Sequence, residues 1–240
     1  MRLHLVPVPA RAMMERRHQR LGLSVFAIAM AFVEAAVVVY VRQIYYPEDP
    51  RIIFPLNILS PHHLVIEWLR EAATLAMILS VAWLAERGFM RVFAAFVYIF
   101  GLWDIFYYLW LKLSIGWPTG WLDWDILFLI PWVWLGPWIA PASIAALFVA
   151  WGGWVLGSPR SFRFTYLSAS LFVVGAGLDL AAFLQPAFPL LTQGIDAIEQ
   201  FSPAGFWWAL FATGYLLMAA GLLLVLRGAG NGYGGPACKN

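Results

Sequence analysis

The sequence predicts an all-α integral membrane protein with about six transmembrane helices in one bundle. Of its 240 residues, 62% are hydrophobic and only 12% are charged, whereas soluble domains contain about 45–50% apolar and about 25% charged residues. Several uninterrupted apolar runs also exceed the roughly 18–20 residues that cross a bilayer core. A third observation is the distribution of arginines between these runs, which alternates from one loop to the next.

The six spans follow from the positions of the apolar runs. The predicted membrane domain covers residues 21–227, with spans at 21–43, 63–85, 91–114, 138–157, 163–186 and 205–226. Residues 1–20 are predicted to be a cytoplasmic basic arm with an interfacial helix at 10–20. Residues 228–240 are predicted to be a disordered, glycine-rich cytoplasmic tail. The single cysteine, Cys238, lies in this tail and excludes an internal disulfide and a CxxC redox pair.

Positive charge is concentrated in alternate connecting segments. The loops after spans two and four each carry arginines, and basic residues flank the first and last spans. These residues are Arg2, Arg11, Arg16, Arg17, Arg20, Arg87, Arg91, Arg160, Arg163, Arg227 and Lys239. Because cytoplasmic loops are enriched in Lys and Arg, both termini are predicted to be cytoplasmic, with the protein in a bacterial inner membrane.

The segment before span four is more complex than a single crossing. The chain is apolar from Asp125 to Gly157, which is too long for one straight span, and Pro131, Pro137 and Pro141 interrupt its first half. Tryptophans cluster in the same region, and tryptophan favours the headgroup boundary. We interpret this segment as a Trp- and Pro-rich interfacial or re-entrant short helix. It would serve as an aromatic anchor or as a lid over a site in the outer half of the membrane.

Span two begins with several charged side chains on one face. At 100° per residue, His63, Glu67, Arg70 and Glu71 fall within a sector about 100° wide. Glu71 lies ~12 Å along the helix from His63, and its short side chain does not readily reach water from that depth. Glu71 is therefore predicted to face other helices or a wet cavity.

Three further spans place a carboxylate at a similar depth. Glu34 in span one, Asp104 in span three and Asp179 in span five each lie about 12–15 Å from the outer end of their helix. Tyr108 and Lys112 share the helix face of Asp104. The sequence thus predicts that spans one, two and three form one polar cluster with His63 at its outer rim. The carboxyl groups expected to converge there are those of Glu34, Glu67, Glu71 and Asp104, with Asp179 as a further candidate.

The predicted cluster has three interpretations. As an enzyme site, it would use Glu34, Glu67, Glu71 and Asp104 as catalytic residues, supported by Arg70, Tyr108 and Lys112. The leading hypothesis is a metal-dependent or acid–base membrane enzyme that acts on a lipophilic substrate. The first alternative is a non-catalytic membrane subunit or assembly factor whose polar pairs hold helices together. The second is a proton-coupled transporter, since buried acids are suited to proton relay.

The cofactor and partner expectations follow from the same residues. A divalent metal ion is the cofactor that the pattern suggests, with His63, Glu67 and Glu71 as ligands, because imidazole and carboxylate suit iron or manganese. No nucleotide-binding loop is found. A bis-histidine haem is not expected, because His62 and His63 are adjacent and the other histidines lie on the opposite side of the membrane. Membrane lipids and other membrane subunits are the expected partners, and nucleic acid is not.

Overall fold

The computed structural model describes residues 10–56, 60–130, 132–190, 201–203 and 205–228. This part of the chain is mostly helical, as predicted, with one short β-hairpin inserted between the third and fourth helices. The helices are α1 (Ala10–Tyr45), α2 (Pro61–Ala85), α3 (Phe89–Ile115), α4 (Ile139–Gly157), α5 (Tyr166–Leu184) and α6 (Trp208–Arg227). A short 3-10 turn (Gln185–Ala187) extends α5.

Five of these helices are long and apolar enough to cross a membrane. They are Met14–Tyr45, Phe89–Ile115, Ile139–Gly157, Tyr166–Ala187 and Trp208–Arg227. The chain is therefore compatible with a multi-pass integral membrane protein. Helix α2 is not among the five, and its N-terminal half carries Glu67, Arg70 and Glu71. A count of six spans stays a prediction.

Helix α1 is one continuous helix rather than a separate arm followed by a span. The predicted interfacial helix at 10–20 runs without a break into the predicted first span and continues to Tyr45. Residues 1–9, and residues 229–240 of the predicted tail, lie outside the described part of the chain.

Local capping fixes where several helices begin and end. The Ser60 hydroxyl accepts a hydrogen bond from the amide of His63. Pro61 occupies the first turn of α2, where a backbone N–H would have no partner within the helix, so proline is well tolerated there. Thr165 and Ser168 form a reciprocal capping box at the start of α5. Helix α3 ends at Gly116, whose φ of 75° is the left-handed conformation that favours glycine.

The segment that precedes α4 is a β-hairpin, so the prediction of a short helix there is wrong. Strand β1 (Trp124–Phe128) pairs antiparallel with β2 (Trp134–Pro137), and Asp125 lies opposite Gly136. Nearly every residue of this segment is apolar, and such a run does not reveal the two-residue period of a strand. Pro131, which the sequence analysis treated as a helix breaker, is outside the described residues.

Glycines allow helices α5 and α6 to pack with their backbones in contact. A Cβ atom at Gly175 would lie 2.5 Å from the carbonyl oxygen of Gly214, and one at Gly221 would lie 2.7 Å from that of Ser168. Helices α3 and α4 approach each other closely at Gly101 in the same way. Small residues promote helix association in membranes because they let backbones approach.

Basic residues of α1 and α3 lie at the same end of the bundle. Arg16 Nη1 donates to the carbonyl oxygen of Ser158, at the end of α4, at 3.3 Å. Arg91, at the start of α3, donates twice to the carboxylate of Glu86, which follows α2, at 2.6 and 2.8 Å. We call this the arginine-rich end. Its placement in the cytoplasm rests on the positive-inside rule and stays a prediction.

An apolar layer occupies the half of the bundle next to the arginine-rich end. Helices α1, α2, α3, α4 and α6 all contribute to it. Its fully buried members include Ala27, Ile78, Ile99, Val155 and Leu222. The carboxylates Glu34, Glu67, Glu71, Asp104 and Asp179 lie beyond this layer, in the opposite half of the bundle.

Candidate functional site

A cavity of about 450 Å³ lies in the half of the bundle away from the arginine-rich end. Its wall is built by α1 to α5 and the hairpin, and α6 contributes Met218. Among the described residues that line it, six are carboxylates and two are arginines: Glu34, Glu67, Glu71, Asp104, Asp125, Asp179, Arg42 and Arg70. Aromatic side chains form much of the remaining wall, among them Phe100, Trp103, Phe128, Trp134, Phe148 and Phe183. We call this space the polar cavity.

Arg70 connects α1 to α2 at one side of the polar cavity. Its guanidinium forms ion pairs with Glu34 of α1 and with Glu67 of its own helix, the latter with an Nη2–Oε2 distance of 2.6 Å. Thr74 Oγ1 donates to Glu34 Oε2 at 3.2 Å. Arg70 is therefore held in one orientation by two carboxylates, and both of these carboxylates are already engaged.

Glu71 connects α2 to the hairpin. The backbone amide of Leu129 donates to Oε1 and Oε2 of Glu71 at 2.9 and 3.0 Å. Leu129 directly follows β1, where an amide that faces away from the partner strand needs an acceptor. Glu71 thus satisfies a backbone group of the hairpin and fixes its position over α2.

A buried ion pair connects α1 to the hairpin. Arg42 Nη2 lies 2.9 Å from Asp125 Oδ1, both side chains are almost fully buried, and the guanidinium lies 4.1 Å from the centroid of the Trp117 ring. Sequence reasoning missed both partners as site residues. Asp125 is a lone carboxylate in an apolar run, which is the signal that identified the other acids. Arg42 lies near the end of a span, where a basic residue is commonplace.

Two carboxylates of the polar cavity have neither an ion pair nor a full set of hydrogen bonds among the described residues. They are Asp104 on α3, which has one oxygen, Oδ2, without a partner, and Asp179 on α5, where neither oxygen has one. Only 9% of Asp104 and 3% of Asp179 is exposed. The backbone amide of Tyr215, on α6, is the donor that lies beside Asp179. Buried carboxylates without partners are rare because desolvation is costly.

Unused hydrogen-bond donors line the same cavity. Arg42 Nη1, Trp103 Nε1 and Trp134 Nε1 are buried and have no acceptor within the described part of the chain. Asp125 also has one oxygen, Oδ2, without a partner there. The polar cavity therefore presents unsatisfied donors and unsatisfied acceptors together, surrounded by aromatic rings.

The structure brings most of the predicted site residues together. Glu34, Glu67, Glu71 and Asp104 all line the polar cavity, as do the predicted supporting residues Arg70 and Tyr108. Asp179, which the sequence offered only as a further candidate, lines it as well. These residues therefore line one cavity, whereas their catalytic roles stay a prediction.

His63 and Lys112 lie apart from this group. His63 is exposed and its Nδ1 lies 2.6 Å from the hydroxyl of Tyr45, a residue of the cavity wall. Lys112 Nζ instead donates to the carbonyl oxygens of Gly116 and Pro118, at 3.1 and 2.7 Å. Lys112, predicted as a supporting residue of the cluster, therefore does not face it, because its ammonium group points to the loop that follows α3.

That loop is ordered by a carboxylate of its own. Asp123 Oδ2 accepts hydrogen bonds from the amides of Thr119 and Gly120, at 2.6 and 3.0 Å, and from the Thr119 hydroxyl at 2.7 Å. Partial burial alone would raise the pKa of Asp123, but these hydrogen bonds and the positive charge of Lys112 outweigh it and lower the pKa below its ordinary value. The loop is thus held by an ionised side chain beside the base of the hairpin.

The predicted metal site is not supported. Within the residues that the structure describes, no group of three His, Cys, Asp or Glu side chains is arranged to hold a metal ion. His63 is turned towards Tyr45, Glu67 is paired with Arg70, and Glu71 accepts from the backbone of the hairpin. These three side chains, the predicted ligands, each have a different partner and do not converge.

Comparison with protein-family models, with curated proteins and with solved structures gives no match to this chain. A function for the polar cavity therefore has to be argued from its own geometry.

Proposed function

We propose that this protein is a multi-pass membrane enzyme that uses acid–base chemistry on a lipophilic substrate bound in the polar cavity. The observation that carries the proposal is the carboxylate of Asp104. It is buried, lines a cavity with aromatic walls, and has an oxygen without a partner among the described residues. A carboxylate that is free to exchange a proton in a site of low polarity is suited to general acid–base catalysis.

The shape of the polar cavity supports a lipophilic substrate. Its volume of about 450 Å³ lies within the range of roughly 300–1,000 Å³ that is common for small-molecule sites. Phe100, Phe128 and Phe148 offer an apolar surface to a hydrocarbon chain. A substrate dissolved in the bilayer would thus find an apolar surface for its hydrocarbon part and carboxylates for its polar part in the same cavity.

The contacts of Glu34, Glu67 and Glu71 support a role for them that differs from that of Asp104. Glu34 and Glu67 orient Arg70, and Glu71 orients the hairpin. We assign these three as positioning residues, whereas Asp104 is the residue that would contact the substrate. Arg70 is already neutralised by Glu34 and Glu67, so we assign it to holding α1 and α2 together at the cavity wall.

The test is a search for chemical conversion by purified protein. The wild-type protein would be incubated with a polar lipid extract of its expression host, and the lipids would be compared by mass spectrometry before and after. We expect one lipid class to change, and the change to be lost in Asp104→Asn. Asp49→Asn is the matched control, because Asp49 is an exposed acid that pairs with Arg51 away from the cavity. Unchanged lipids, or a conversion that survives in Asp104→Asn, would refute the proposal.

A second candidate function is a non-catalytic subunit or assembly factor, and the ion pairs favour it. Arg70–Glu34 and Arg42–Asp125 both join different structural elements, as polar pairs that hold a bundle together do. The two candidates differ in what they predict for Asp104. A purely structural carboxylate stabilises the fold, so Asp104→Asn would lower the melting temperature. A functional carboxylate without a partner costs stability, so the same change would leave the melting temperature unchanged or raise it.

A further inference from the structure

Charge balance in the polar cavity points to the chemistry of its ligand. Six carboxylates and two guanidinium groups line the cavity within the described residues. Arg70 pairs with Glu34 and Glu67, and Arg42 pairs with Asp125, so both cations are already used. Asp104 and Asp179 are left without a cation among the described residues.

We infer that the ligand of the polar cavity is an amphiphile whose head group carries a positively charged amine, attracted by the unpaired carboxylates of Asp104 and Asp179. This inference rests on the proposed function only in taking the cavity as a substrate site. An ammonium group would donate charge-assisted hydrogen bonds to a carboxylate that has no other cation, and the second carboxylate of the same cavity would add to the attraction. Such bonds are about twice as strong as neutral ones.

The carboxylate of Asp179 lines the polar cavity beside helix α6. Helix α6 passes so close that a Cβ atom at Gly214 would lie 2.4 Å from Asp179 Oδ1. Only the missing side chain of Gly214 leaves room for the carboxylate there. Neither oxygen of Asp179 meets the geometry of a hydrogen bond with a side chain of the described residues, and the backbone amide of Tyr215 on α6 is the donor beside it.

The aromatic wall fits the same head group. Trp134 stacks on Phe183 with ring centroids 6.4 Å apart, and Trp103 and Phe128 lie in the same wall. Ring faces attract ammonium groups, most strongly where water is excluded. Arg42 Nη1, Trp103 Nε1 and Trp134 Nε1 remain as donors, so the ligand is also expected to carry a hydrogen-bond acceptor near its amine.

The test uses two probes of equal chain length, dodecylamine and 1-dodecanol, with the full-length protein in detergent. Native mass spectrometry would measure one-to-one adducts as the probe concentration is raised. We expect dodecylamine, which is protonated at neutral pH, to bind at least about tenfold more tightly than 1-dodecanol. Asp179→Asn and Asp104→Asn should each weaken binding of the amine by about tenfold, while Asp49→Asn leaves it unchanged.

Equal binding of the two probes to wild-type protein would overturn the inference, and this comparison does not depend on any variant folding. Loss of amine binding in Asp49→Asn to the same extent as in Asp179→Asn would also overturn it, because it would show non-specific attraction. The result is separable from the proposed function. Selective binding of the amine without lipid conversion would support the inference and refute the proposed enzyme activity. Conversion of a lipid without a preference for the amine would support the enzyme activity and refute the inference.

Discussion

Two glycines of α5 that are two residues apart should respond in opposite ways to the same substitution. A Cβ atom at Gly175 would lie 2.5 Å from both the carbonyl oxygen of Gly214 and the amide nitrogen of Met218, whereas one at Gly177 would meet nothing within 4 Å. Ordinary contacts between heavy atoms are about 3.5–4.0 Å, so Gly175→Ala requires α5 and α6 to separate by about 1 Å. Because both nearest atoms belong to the backbone of α6, no side-chain rotation relieves the contact.

The expected magnitudes follow from these distances. Overpacking of this kind typically costs about 1–3 kcal/mol, so Gly175→Ala should lower the free energy of unfolding by that amount. Gly177→Ala adds a methyl group to an open face and replaces a poor helix former, which stabilises a helix by up to ~1 kcal/mol. The two variants should thus differ by roughly 1–4 kcal/mol, although they carry the same chemical change on one helix.

The assay is thermal and denaturant-induced unfolding of the purified protein in one detergent, followed by tryptophan fluorescence. Gly175→Ala should melt below wild type and Gly177→Ala at or above it. Asp179 lies one helical turn from Gly175, so amine binding should weaken in Gly175→Ala as well. If the two variants melted at the same temperature, backbone contact between α5 and α6 would not be the interaction that holds these helices together.

Three further outcomes can be measured independently. Asp125→Asn should lower the free energy of unfolding by about 3–5 kcal/mol, because it leaves the buried guanidinium of Arg42 without its counter-charge. The control Asp49→Asn should leave the melting temperature unchanged, and an equal drop in both variants would contradict a special role for Asp125. A reporter fused after Gly230 should be cytoplasmic and one inserted near Asp49 exported, and an exported C-terminal reporter would contradict the predicted topology. Because the pKa of Asp123 is lowered in the fold, the stability it contributes is present above its ordinary pKa of about 3.9 and lost as the pH falls through its folded pKa. Asp123→Asn should therefore lose less stability than wild type between pH 7 and pH 3, and parallel losses would show that Asp123 is not the group responsible.

The convergence of acids could be predicted from the sequence because depth in a helix is nearly fixed by residue number. At 1.5 Å per residue, Glu34, Glu71 and Asp104 fall at one level of the bundle whatever the details of packing. A carboxylate at that depth has few alternatives to facing other helices. The depth of these acids in the bundle could therefore be predicted from the sequence, whereas their roles stay a prediction.

The partners of those acids could not be predicted in the same way. Whether Arg70 pairs with Glu34 or with Asp104 depends on how α1 and α3 are rotated about their axes, which a single helix does not determine. Lys112 shares a helix face with Asp104, yet its long side chain turns to the carbonyl groups of the following loop. The metal prediction was not supported for the same reason: spacing along α2 places His63, Glu67 and Glu71 on one face but says nothing of the acceptors and donors opposite them.

The hairpin shows a different limit of the sequence. Its strands are apolar on both faces, so the alternation that identifies a strand is absent, and only Asp125 departs from the pattern. Asp125 turns inward because Arg42 is there to meet it. A lone charged residue in an apolar segment thus marks the buried side of that segment even where the secondary structure is not recognisable.

The length of α1 has a mechanical consequence. Its 36 residues make a rod of roughly 54 Å, whereas the hydrocarbon core of a bilayer is about 30 Å thick. A rod without a break is stiff to twisting, so a rotation of the basic part of α1 about the helix axis would turn Glu34 and Arg42 through a similar angle. Such a rotation would draw Glu34 away from Arg70 and Arg42 away from Asp125 at the same time. A partner that displaced the basic part of α1 from the end of α4 would in this way weaken both ion pairs that shape the polar cavity.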